Sequence, residues 1–142
     1  MAFGRGMRRR VEHRAADPGA VRAAALAMLG RREYASTELV TALSRKGYAI
    51  PIAKEVVAQL AEERLVDDTR YAGSLVRMLA GRGQGPVRVR QELRAAGLPD
   101  EQVVAALEAG PDWMQLAAEV RQRKFGAGAP ADWPERARQT MW

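Results

Sequence analysis

The chain is predicted to be all-α: tandem three-helix repeats stacked into an elongated, curved body, with the third repeat incomplete. Three observations predict it. One helical unit is written twice: Leu26-Ala-Met28-Leu29, Leu39-Val40, Leu43, Gly47 and Val56-Val57-x-x-Leu60 recur as Val76-Arg-Met78-Leu79, Val87-x-Val89, Leu93, Gly97 and Val103-Val104-x-x-Leu107. Through Gly47 and Gly97 the copies keep a register of fifty positions; afterwards the first takes nine residues to reach its Val-Val pair and the second six, as a loop insertion would give. Repeats of this period are supersecondary units too small to bury an apolar face alone, so they stack. Alanine, leucine, arginine and glutamate, all good helix formers, are abundant, and no stretch shows the period-two alternation of a strand.

Residues 1–16 carry Arg5, Arg8, Arg9, Arg10 and Arg14 against Glu12 alone and read as a flexible basic arm. Asp17-Pro18 is a helix start, with aspartate as N-cap and proline at the first helical position; Val21, Ala24, Ala25, Met28 and Leu29 then share a face. A second helix covers about 36–46 and closes at Gly47, and a third runs from about 51 to 63 with Ile52, Val56 and Leu60 in line. These elements make repeat 1, residues 17–66. Asp67, the better cap of Asp67-Asp68, opens repeat 2 (67–110), whose first helix is expected to bury Tyr71, Leu75, Met78 and Leu79. Gly81-Arg-Gly83-Gln-Gly85 interrupts it; Gly85-Pro86 restarts a helix that Gly97 ends, and Asp100 opens the sixth. Residues 111–142 form the partial repeat 3, with Leu116 and Val120 on one helix, a loop over 126–130 and a short helix from Pro134.

Charge is segregated along the chain. Lysine and arginine number 23 against 17 acidic residues, a net +6, which favours polyanions or acidic protein surfaces as partners over a neutral ligand. Between Thr69 and Gly97 six arginines face Glu92 alone, whereas residues 49–68 are net acidic. Arg90 and Arg94, four apart, share a helix face, with Arg88 well round the cylinder. Arg82 precedes that helix, Arg31 and Arg32 sit at the equivalent turn of repeat 1, and Arg121, Arg123 and Lys124 mark repeat 3. Guanidinium groups grip phosphates and carboxylates with bidentate geometry, so the three clusters are the candidate binding residues. The ordinary alternative for each is a solvated helix face.

Leu65-Val-Asp67-Asp68-Thr-Arg70-Tyr71-Ala, continued by Arg82-Gly-Gln-Gly85-Pro86-Val-Arg88-Val-Arg90-Gln91-Glu92-Leu93-Arg94 and Gly97, resembles the bacterial regulatory RecX family. Leu29-Gly-Arg31-Arg32-Glu33-Tyr34, Glu38-Leu39 and Arg121-x-Arg123-Lys124-Phe125-Gly126 extend the resemblance over about residues 20–140. In two places the chain departs from the family pattern. Ala35 stands where a capping-box serine is usual, so the cap is expected to shift to Ser36 or Thr37, and Thr140-Met141-Trp142 replaces a longer basic, aromatic ending. The resemblance implies a negative modulator of the RecA recombinase in DNA repair and the SOS response. Such a protein binds along the groove of the RecA–DNA filament and depresses ATPase, strand exchange and co-protease activity. Arg31, Arg32, Arg82, Arg88, Arg90, Arg94, Arg121, Arg123 and Lys124 are the residues expected to meet RecA or DNA. Single- and double-stranded DNA are expected as weak partners, and the protein as a cytoplasmic monomer. The rival reading is a nucleic-acid-binding module that acts without RecA and without sequence preference; a third is a helical scaffold for an acidic protein.

No enzyme is read here. There is no cysteine, hence no disulfide or thiolate metal site. His13 is the single histidine and has no partners at metal spacing. Gly81-x-Gly83-x-Gly85 follows a helix and lacks the lysine-serine/threonine ending of a P-loop, so it reads as a joint. Asp67 and Asp68 read as caps, Trp113 and Trp133 as packing anchors, and Trp142 as a terminal residue. No apolar run approaches the roughly 18 residues of a spanning helix, and no cofactor is expected.

Overall fold

A computed structural model describes residues 14–126. His13, most of the basic arm, the loop and helix expected beyond Gly126, Trp133 and Trp142 lie outside the described residues. Within them the chain is all-helical: α1 (Pro18–Leu29), α2 (Ser36–Arg45), α3 (Ile50–Glu62), α4 (Asp68–Gly81), α5 (Pro86–Ala95), α6 (Asp100–Glu108) and α7 (Trp113–Phe125). The chain divides into two compact units, Met1–Asp68 and Thr69–Trp142.

In the first unit Asp17 caps α1, accepting from the Gly19 N–H at 3.0 Å, with Pro18 at the first turn. The three helices pack on one another around Val21, Ala25, Met28, Leu39, Leu43, Val56, Val57 and Leu60. Gly47 follows α2 with φ +97°, a conformation that favours glycine, and its N–H closes the turn onto Ser44. Residues 14–16, expected in the flexible arm, are helical instead. Ala15 and Ala16 favour helix, and the Ala15 carbonyl accepts from the Ala49 N–H at 2.8 Å.

The cap of α2 does not shift to Ser36 or Thr37. Ala35 keeps the N-cap position, and Glu38 supplies one half of a capping box by accepting from its N–H at 3.3 Å. Alanine has no oxygen for the other half. Asp68, thirty-two residues on, takes that role for the first turn: its Oδ1 accepts from the Ser36 N–H at 2.7 Å and from the Ser36 hydroxyl at 3.1 Å.

In the second unit Gly85 and Pro86 start α5, Val89 and Leu93 are fully buried, and α5 packs on α6. The buried stripe of α4 is Ala72, Val76 and Leu79. Met78, expected in the core, is exposed; Tyr71 and Leu75 are half-buried. The stripe of α1 therefore maps onto α4 at fifty-one positions rather than fifty, Val21 onto Ala72 and Met28 onto Leu79. The connection between the first two helices is shorter in the second unit, 82–85 against 30–35, and takes up the difference. Val104, the partner of buried Val57 in the repeat, is also exposed.

Candidate cationic surface

Among the nine basic residues singled out from sequence, carboxylates and rings already occupy several. Arg32 donates to Glu38 at 3.1 Å and to the Glu33 carbonyl at 2.9 Å, and its guanidinium lies 3.6 Å from the Tyr34 ring centroid. It is bound into the α2 start. Arg88 pairs with Glu92 one turn on at 2.9 Å, and Arg94 with Asp100 at 3.4 Å. Arg121 is half-buried with its guanidinium 3.9 Å from the Phe125 centroid. Arg90 is half-buried in a hollow of about 420 Å³ that it shares with Glu108 and Asp112; Asp112 in turn accepts from the Met114 and Gln115 N–H groups as the cap of α7. Arg31 is exposed in the turn after α1, with no carboxylate partner among the described residues.

Three residues remain, and the fold brings them together. Arg82 in the α4–α5 turn meets Arg123 and Lys124 of α7 around a notch of about 200 Å³ lined also by Gly81, Gly83 and Val120. All three cations are exposed, and among the described residues no carboxylate lines the notch. Local geometry builds it. Val120, Arg123 and Lys124 share a face of α7, three and four residues apart. Gly83 has φ +78°, a conformation that favours glycine, and a Cβ there would stand 3.2 Å from Val120 Cγ2, a tight approach where the turn meets α7. The Arg82 and Gly83 N–H groups close the end of α4 onto Leu79 and Ala80. Arg123 and Lys124 also lie in the last turn of α7, where positive charge opposes the helix dipole.

The charge pattern in sequence placed Arg82 and the α7 pair in separate clusters, and nothing in it marked Phe125, an exposed ring beside Lys124. The signals available were the glycine at 83, read from sequence as part of a joint, and Phe125 within the motif Arg121-x-Arg123-Lys124-Phe125-Gly126. A marked electrostatic perturbation lies elsewhere. Arg22 and Glu63 form a bidentate pair at 2.7 and 2.9 Å, whose hydrogen bonding holds the Glu63 carboxyl below its usual range and the Arg22 guanidinium above its own. Among the described residues no group of three histidine or acidic side chains could hold a metal, and no helix is long and apolar enough to cross a membrane.

Fold and site together define an all-α protein of tandem three-helix repeats whose distinguishing surface is cationic. Family models agree: RecX, first three-helix domain, matches residues 22–60, and RecX, second three-helix domain, matches 67–107. The regulatory protein RecX of Halorhodospira halophila is 47% identical over 124 residues, covering 87% of this chain and 77% of that protein. That of Pseudomonas savastanoi pv. phaseolicola is 41% identical over 123 residues, covering 86% and 79%. The chain belongs to the RecX family of regulatory proteins. In fold it is similar to the crystal structure of RecX from Lactobacillus salivarius (TM-score 0.69, 20% identity, 87% of this chain and 84% of that one). A second RecX crystal structure superposes with TM-score 0.62 at 23% identity, over 87% of this chain and 65% of that chain.

Proposed function

We propose that this protein is a negative modulator of the RecA recombinase, binding along the RecA–DNA filament groove and depressing ATPase, strand exchange and co-protease activity. The observation that carries the reading is family membership joined to a cationic surface, four of whose charges have no carboxylate partner among the described residues. Arg31 on the first unit and Arg82, Arg123 and Lys124 on the second present charge that a filament, with its bound DNA and repeated protein surfaces, can neutralise at more than one place. Contacts of that kind are individually weak and salt-sensitive. Arg90 contributes from its hollow. Arg32, Arg88, Arg94 and Arg121 contribute less directly, since each already has an internal partner. The sequence-derived boundaries at 17, 67 and 111 and a monomeric state belong to the same reading.

The test is RecA ATPase on single-stranded DNA with substoichiometric protein, beside DNA binding without RecA. Inhibition at ratios too low to coat the DNA is the expected result. Inhibition only at saturation of the DNA would favour a nucleic-acid-binding module acting without RecA.

A further inference from the structure

We propose that the α4–α5 turn and the end of α7 form a subsite for one nucleotide of a single strand, with its phosphate in the notch and its base on Phe125. The inference deepens the reading above, resting on it only for which strand is met in the filament. Its chemistry can be tested without RecA.

Arg82, Arg123 and Lys124 converge on a notch of about 200 Å³, ample for a phosphate group, and among the described residues no carboxylate there competes for them. Two guanidinium groups and an ammonium suit a tetrahedral oxyanion. Lys124 is followed at once by Phe125, a ring left 62% exposed at the end of an amphipathic helix. Arg121, one turn back, covers one face of that ring, 3.9 Å from its centroid, which holds the ring in place and leaves its remaining surface open. Gly126, with φ +71°, then ends α7, and among the described residues nothing stands within 4 Å of where a Cβ would lie there. A cationic notch with an exposed ring next in sequence to one of its cations offers the combination that binds single strands: phosphate contacts track the backbone, and any base can stack. A duplex hides the faces of its bases, so the subsite favours single strands. A nucleotide engages both features with one residue, phosphate in the notch and base on the ring, whereas a peptide needs an acidic and an apolar side chain placed together, which favours the nucleotide.

Fluorescence anisotropy of the full chain, without RecA, tests this on oligothymidylate, the same strand with abasic spacers, and a duplex. Phe125→Leu keeps an apolar side chain at an exposed site and is checked for unchanged helicity. It is expected to weaken oligothymidylate binding about tenfold, with the abasic strand unaffected. Arg82→Ala is expected to weaken binding to both strands and to reduce the steepness of the salt dependence by about 0.7. Equal binding of base-bearing and abasic strands by the unmodified protein, or no effect of Phe125→Leu, would overturn the subsite. Normal base-dependent binding together with no inhibition of RecA would leave the subsite standing and remove the RecA reading instead.

Discussion

In the first unit Arg22 of α1 reaches across to Glu63, just past α3, with two hydrogen bonds, and between them Ala53, Val56 and Val57 are buried. At the corresponding positions of the second unit stand Gly73 and Gly110, fifty-one and forty-seven residues on. They line an apolar cleft of about 850 Å³ between α4 and α6, with Thr69, Ala72, Val76 and Ala105 among its walls. At Gly110 α4 comes close: a Cβ there would stand 3.1 Å from Val76 Cγ1 and 3.0 Å from Trp113 Cζ2. Trp113 also donates its indole N–H to the Leu107 carbonyl, fastening α7 to α6. One repeat therefore closes its outer seam by a charged clasp and direct helix packing. The other leaves it open and is braced at one end by an aromatic ring. Repeated letters specify the central layer, Leu39 and Leu43 against Val89 and Leu93, and leave the outer seam to the residues that differ.

Matched core truncations should separate the two units most strongly. Leu43→Ala and Leu93→Ala remove the same side chain from equivalent, fully buried positions. The cost of such a cavity depends on how far the surroundings collapse. With α1 packed on α3, Leu43→Ala is expected to cost about 4 kcal/mol; with α4 able to settle into its cleft, Leu93→Ala is expected to cost about 2.5 kcal/mol. Hydrogen exchange of amides within each unit reads the two separately. Equal losses would mean the open seam lends no compliance.

A smaller effect sharpens what is particular to the first unit. Asp68→Ala leaves the Ser36 amide and hydroxyl without their acceptor and is expected to cost about 1–2 kcal/mol. Ala35→Ser in that background supplies a local oxygen and is expected to recover about half of the loss, as read by chemical denaturation. No recovery would show that Asp68 acts other than as a cap.

The smallest effect is the clasp itself. Because Glu63 titrates below its unfolded value, its contribution is present above the ordinary glutamate range, near 4.3, and is lost as pH falls through the depressed folded value. Arg22 stays charged throughout, so the acid dependence belongs to Glu63. Glu63→Gln is expected to lower Tm slightly at neutral pH, with the difference vanishing at acid pH. A difference that persists there would assign the effect to packing.

Local signals made the helix boundaries legible. Asp17-Pro18, Gly47, Gly85-Pro86 and Gly97 each act within a turn of themselves and stand where the sequence puts them. What failed depended on distance. The acceptor for Ser36 lies thirty-two residues away, so no reading of the α2 start could find it. Met28 and Met78 match as letters, yet one is buried and the other exposed, because a shorter connection turns α4 by one position. For the cationic surface, a tally of arginines could not separate Arg88, neutralised by Glu92, from Arg82, which meets α7 only once the chain has folded.

The carboxylate that serves the start of α2 belongs to the first residue of α4, and this fixes where the first unit can be cut. A fragment ending at Val66, the edge suggested by the repeat, lacks the group that its second helix needs; one ending at Asp68 carries it. The same dependence orders events on the ribosome. Until Asp68 has emerged, the leading amide of α2 is expected to have only water as its acceptor, and its first turn to fray. The opening residue of one helix is thus also the final piece of the bundle before it.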